Sequence, residues 1–138
     1  MSEESTTSDL VELTRRSFTA ASRRDFDALV GFFAADAVWE AQEFQAFEGR
    51  DAIRGFFEYV LGTYQDAEIE VEDVLDLGGG IGFVTASLEG QLADSTAHMR
   101  TRMGAVYTWA DNLILRVTSC TDIDEARAAA ERLAAERE

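Results

Sequence analysis

The sequence contains no lysine and no proline, a single cysteine and a single histidine, and only 12 bases, all arginine, against 27 acids in 138 residues. Each scarcity excludes something. One cysteine, Cys120, rules out an internal disulfide framework and a cysteine-rich zinc site. His98 has neither a second imidazole nor a carboxylate cluster at ligand spacing, so it reads as an exposed strand-end residue and no metal is expected. A formal charge of −15 without a basic stripe argues against nucleic acid as a partner. No uncharged apolar run approaches the ~20 residues of a membrane helix. The opening MSEESTTSDL also lacks the basic and apolar regions of a signal peptide, so a cytoplasmic protein with no membrane partner is expected. The missing lysine leads to no structural expectation. What is present is 46% hydrophobic residues, enough for one core in a domain of the commonest size.

The hydrophobic period changes along the chain. Residues 1–8 are polar and expected to fray, leaving a single domain over 9–138. Asp9 with Glu12 forms a capping box, and Leu10, Leu13, Ser17 and Ala21 line one face of a helix over 9–23. Asp25 caps a second, short helix carrying Phe26, Leu29, Val30, Phe32 and Phe33 that fades at 34–36. A brief strand follows at 37–41, then an irregular stretch or short edge strand at 42–48. Ile53, Phe56, Phe57, Val60 and Leu61 give the stripe of a third helix, opened by Gly49 and closed by Gly62.

From Glu68 the period becomes two, with Glu68, Glu70 and Glu72 alternating with Ile69 and Val71. It slips at Asp73–Leu75, which predicts a bulge. Gly78–Gly80 is a turn leading into a strand rather than a helix, so it is no phosphate loop. Strands are predicted over 81–92, 98–109 and 113–121, and Asp122 with Glu125 caps a final helix. Three helices, a meander of long strands and a last helix make an α+β domain.

Three passages carry a family resemblance: RRDFDALVGFFAADAVWEA (Arg23–Ala41), FEGRDAIRGFF (Phe47–Phe57) and WADNLILRVTSCTDIDEARAAA (Trp109–Ala130). In this order and spacing they resemble the ketosteroid isomerase-like superfamily, also called nuclear transport factor 2-like, and most nearly its SnoaL-like branch. The resemblance implies a cone: a curved antiparallel sheet wrapped around a long helix, with three N-terminal helices, a C-terminal helix and an apolar pocket. It also implies a homodimer through the convex sheet face. It does not name a chemistry, because one fold hosts many. The isomerase's carboxylate base, tyrosine and donor aspartate map onto Ala41, Ser17 and Ala105, none of which can do that work. The aspartate–arginine–aspartate set of limonene epoxide hydrolase-like members also lacks a match, since Arg100 and Arg102 alternate away from the apolar positions of their strand.

Strand parity within that fold selects a pocket. Trp39 and Ala41 face it from the first strand, and Phe83, Thr85, Ser87 and Glu89 from the second long one. Thr101, Met103, Ala105, Tyr107 and Trp109 come from the third, and Leu115, Val117, Ser119 and Thr121 from the last, under a roof of Phe18, Phe56, Phe57 and Val60. Glu89 is the inward carboxylate, with two readings: a base whose pKa burial raises, or a residue in solvent at the strand end. Tyr107 is its candidate hydrogen-bond partner in catalysis, or else pocket wall like Trp109. Cys120 faces away from the pocket and, because a nucleophilic cysteine needs a base beside it, reads as a small buried hydrophobe before a nucleophile. On the outward parity, Arg100, Arg102 and Arg116 are placed to meet the glutamates of a second copy.

Two functions follow. The first is a cofactor-independent enzyme or carrier for a polyketide-, terpenoid- or steroid-like molecule, working by proton transfer, hydration or cyclisation. The second is a non-catalytic dimeric binding or interaction module with a closed pocket. A cavity below about 300 Å³ favours the second.

Overall fold

A computed structural model describes residues 2–41 and 45–137, with side chains from Leu10 onward. The elements run α1 (Ser2–Ser22), α2 (Phe26–Val30), β1 (Phe33–Ala41), β2 (Ala46–Glu48), α3 (Arg50–Gly62), β3 (Glu68–Gly78), β4 (Ile81–Gln91), β5 (His98–Ala110), β6 (Leu113–Cys120) and α4 (Ile123–Glu136). Among the described residues the six strands form one curved, unclosed sheet in the order β2-β1-β6-β5-β4-β3.

Several expectations change. The helix that the capping pattern starts at Asp9 begins at Ser2, so the backbone of 2–8, expected to fray, is helical. Met1 and the side chains of 2–9 lie outside the described residues, as do Gln42–Phe44 of the expected irregular stretch. Phe33 belongs to β1 and not to the second helix, which stops at Val30 and is closed by Gly31. The reason is pairing: the Ile114 amide donates to the Phe32 carbonyl at 2.8 Å, and Phe33 lies opposite Ile114, so this segment gains sheet partners that a helix would forgo. The sheet is also mixed, because β1 runs parallel to β6 while the other pairs are antiparallel.

The slip in β3 is a register shift between Val71 and Asp73. The extra residue there lets Glu72 and Asp73 both stay in solvent while Ile69, Val71 and Val74 pack inward.

Two cores result, one on each face of the sheet. The inner core joins Phe18 and Ala21 of α1, Ile53 of α3 and the inward residues of the sheet, among them Trp39, Tyr107, Trp109, Ile114 and Val117. The outer core lies under α4, where Ala126, Ala130 and Ala134 meet Ile81, Phe83, Val106 and Cys120. Small residues bring α4 close: a Cβ added to Gly104 would stand 2.9 Å from the Ala126 Cβ. Asp122 caps this helix by accepting from the Glu125 amide at 3.0 Å.

The β3–β4 turn is held by glycine for two reasons. Gly80 has φ +82°, and a Cβ there would lie 2.5 Å from the Trp109 carbonyl oxygen. Neighbouring Gly79 also has positive φ, but its added Cβ would meet only the Arg137 side chain, at 3.0 Å. Gly80→Ala should therefore cost about 2–3 kcal/mol, and Gly79→Ala about 1 kcal/mol. Urea unfolding of the two variants checks the order, and equal losses would contradict it.

Candidate functional site

A cavity of about 130 Å³ lies between α3 and the inner face of the sheet. Its roof is Phe56, Phe57, Val60 and Leu61, consecutive positions on the apolar stripe of α3. Phe18 closes one side, Trp39 and Ser119 form the floor from β1 and β6, and Ile69, Ala86, Leu88 and Met103 form the wall from β3, β4 and β5. Ser87 touches it as well. Ser87 has the opposite parity, cross-strand from Glu70 and Arg102, so its side chain is directed outward.

Trp39 organises the floor. Its ring lies 5.0 Å from Phe57 and 6.1 Å from Tyr107, both edge-on, and 5.8 Å from Phe56. Its indole Nε1 donates to the Ser119 Oγ at 3.2 Å, so the largest side chain of the floor carries no unmet donor. Phe47 of β2 stacks on Phe56 at 4.5 Å and holds that part of the roof against the sheet edge.

The structure brings Phe18, Trp39, Phe56, Phe57, Val60, Ser87, Met103 and Ser119 around this cavity. Tyr107, Trp109 and Val117 have inward parity but lie beyond it, in the packed core. Burial pushes the Tyr107 phenol far above its ordinary pKa, so it stays protonated and cannot act as a base. Thr101 is exposed near the start of β5. Leu115 is exposed because a register shift at Thr108/Trp109 turns Ile114 inward in its place, and β6 ends before Thr121.

The largest correction concerns β4. Phe83, Thr85 and Glu89 were expected inside, yet Val84 and Ala86 join the inner core and Leu88 the cavity wall. Phe83 is buried on the other face beneath α4, and Thr85 sits opposite Asp73 and Gly104. Both faces of this strand are covered, so bulk alone could not choose the inner one. A usable signal was present, since Val84, Ala86 and Leu88 are uniformly apolar while Phe83, Thr85, Ser87 and Glu89 end in a charge. Leu61 of the roof and Ile69, Ala86 and Leu88 of the wall are the lining residues that the sequence reading missed.

Glu89 therefore lies outside, where its Oε2 is 2.8 Å from His98 Nε2. The bond to His98 holds its carboxyl below the usual range, the opposite of a buried base. Arg100, Arg102 and Arg116, expected to meet a second copy's glutamates, find glutamates of their own chain. Arg102 makes two bonds to Glu72 at 3.0 and 2.7 Å, Arg100 approaches Glu72 at 3.8 Å, and Arg116 pairs with Glu40 at 2.9 Å. At the positions matching the isomerase set, Ala41 and Ala105 carry no polar side-chain atom, and the Ser17 hydroxyl is taken by the Thr14 carbonyl at 2.7 Å. No carboxylate, imidazole or guanidinium lines the cavity among the described residues. No helix among them is long and apolar enough to cross a membrane.

The sequence matches the model of the SnoaL-like domain over residues 14–117. No curated protein sequence matches it. Solved structures share the fold. A Catenulispora acidiphila protein with a ketosteroid isomerase-like fold, in complex with trimethylamine, is 15% identical, with 86% of this chain and 92% of that one aligned at a TM-score of 0.73. A protein described as a SnoaL-like polyketide cyclase, from a Jannaschia species, is 20% identical over 90% of this chain and 92% of that one, at 0.74. An epoxide hydrolase of the LEH-like type from M. tuberculosis is 14% identical over 91% of each chain, at 0.70.

The Glu72 pairing gives a pH prediction. The bonds from Arg102, with Arg100 more distant, hold the Glu72 carboxyl below its ordinary pKa. A depressed folded pKa contributes stability above the unfolded pKa that is lost as pH falls through the folded one. The stability difference between the protein and Glu72→Gln should therefore be present at neutral pH and vanish in acid below the carboxylate range. It should also shrink with salt, because the pair is exposed. Urea midpoints against pH check this, and a difference that grows on acidification would contradict it.

Proposed function

The chain belongs to the SnoaL-like domain family, within the ketosteroid isomerase-like superfamily, and from that premise we propose that it is a non-catalytic binding module for one small apolar molecule. The observation that carries this is the cavity lining: four α3 residues, Phe18, Trp39 and an aliphatic wall, with no titratable side chain among the described residues. Proton transfer, hydration and cyclisation all need a group that gives or takes a proton within hydrogen-bond reach of the substrate. Glu89, the one carboxylate expected to supply it, is paired with His98 on the far face.

Size sharpens the ligand. Pockets for drug-sized molecules run to about 300–1,000 Å³, whereas an apolar cavity of about 150 Å³ takes benzene. At about 130 Å³ the site suits a single ring and not a polyketide or steroid skeleton. Binding to the folded state alone raises stability by about 2.7 kcal/mol at a hundredfold excess over Kd.

Thermal denaturation with benzene, toluene and cyclohexene should show concentration-dependent stabilisation, and naphthalene and a steroid should show none. Ala86→Leu, which fills the wall from a position 3% exposed, should remove the stabilisation by single rings and leave a folded protein. Stabilisation by the steroid, or turnover of any of these compounds, would sink the reading.

A further inference from the structure

Among the described residues the floor of the cavity holds one inward hydroxyl, that of Ser119, and its hydrogen bonding is half determined. Its Oγ accepts from Trp39 Nε1 at 3.2 Å. A hydroxyl has one proton to give, and accepting from the indole strengthens it as a donor. Ser119 is 5% exposed, lines the cavity, and stands between neighbours that offer nothing polar on the same face: Ala41 across the β1 pair and Ala105 across the β5 pair. Ser87, the other serine at the cavity, is turned away by strand parity. Among the described residues the site therefore presents one donor in an otherwise apolar chamber.

Resting on the binding reading above, we infer that the molecule held is a ring-sized neutral carbonyl compound, a cyclic ketone or aromatic aldehyde, whose oxygen accepts from Ser119. Counting donors selects the carbonyl. A hydrocarbon leaves the Ser119 proton unused. An alcohol brings a second O–H, and one bond between two hydroxyls leaves one proton facing apolar walls, at the cost of an unsatisfied buried donor. A carboxylate brings a charge that nothing in the described lining neutralises. A carbonyl oxygen satisfies the serine and adds no donor of its own. Trp39, by fixing the Oγ lone pair, is the positioning residue that decides where that proton points.

The test uses three rings of nearly equal size: cyclohexanone, cyclohexanol and methylenecyclohexane, titrated into the protein and followed by amide NMR shifts. Cyclohexanone should bind about tenfold more tightly than cyclohexanol. Ser119→Ala should weaken cyclohexanone by about tenfold and change methylenecyclohexane less than about twofold. Because Ser119→Ala also strips Trp39 of its acceptor and can fail to fold, a second measurement uses the unaltered protein. The infrared carbonyl stretch of bound cyclohexanone should fall below its frequency in hexane, as it does when the oxygen accepts a hydrogen bond. A bound stretch equal to that in hexane, or equal losses for ketone and hydrocarbon in Ser119→Ala, overturns the inference and leaves the apolar binding site standing. Failure of all three rings to bind overturns the binding reading and this inference with it.

Discussion

The hydrogen bond from Trp39 to Ser119 is the contact on which the inner half of the molecule depends. It spans the β1–β6 pair, the one parallel junction in the sheet, where Trp39 lies opposite Val117 and Ala41 opposite Ser119. The same indole touches the rings of Phe33, Phe56, Phe57 and Tyr107, so it joins the start of its own strand, the long helix and the middle of the sheet. Each such aromatic pair contributes about 0.5–1.5 kcal/mol beyond area burial. The cavity opens beside this indole, between α3 and the sheet.

Division of labour between the two sheet faces explains where the charge sits. The inner face is apolar from β1 to β3. The outer face is shared between α4, which rests on alanines and Gly104, and a set of ion pairs in which Glu72, Glu89 and Glu40 meet Arg102, His98 and Arg116. These pairs are exposed and each contributes little. Strand facing places these groups on the side away from the cavity, and none of them is among its described lining.

Much of this was legible in the sequence. The α3 stripe of Ile53, Phe56, Phe57, Val60 and Leu61 has one period and one amphipathic face, so it specified the helix, and with the family resemblance it pointed to Phe56, Phe57 and Val60 over the cavity. The slip at Asp73 marked the bulge, and Asp122 with Glu125 marked the start of α4. The family followed from three motifs in order. What was misread was the facing of β4: Phe83 is as well buried under α4 as it would be under α3, so its bulk misled, and the charge at Glu89 at the end of the same parity was the signal that marked the outer face. That one ambiguity moved Glu89 from the inside to the outside and with it the question of catalysis. Phe33 was misplaced for a related reason: a local helical pattern yields to a pairing partner 81 positions away, at Ile114.

Binding of a small apolar molecule depends on an open, single-ring-sized space between α3 and the sheet. A crystal structure of the protein soaked with toluene tests it most directly. The account predicts ring-shaped density bounded by Phe57, Val60, Ala86 and Met103, with the Trp39–Ser119 bond intact. A structure in which α3 has closed onto the sheet, leaving no density between them and toluene absent or bound elsewhere, would contradict it.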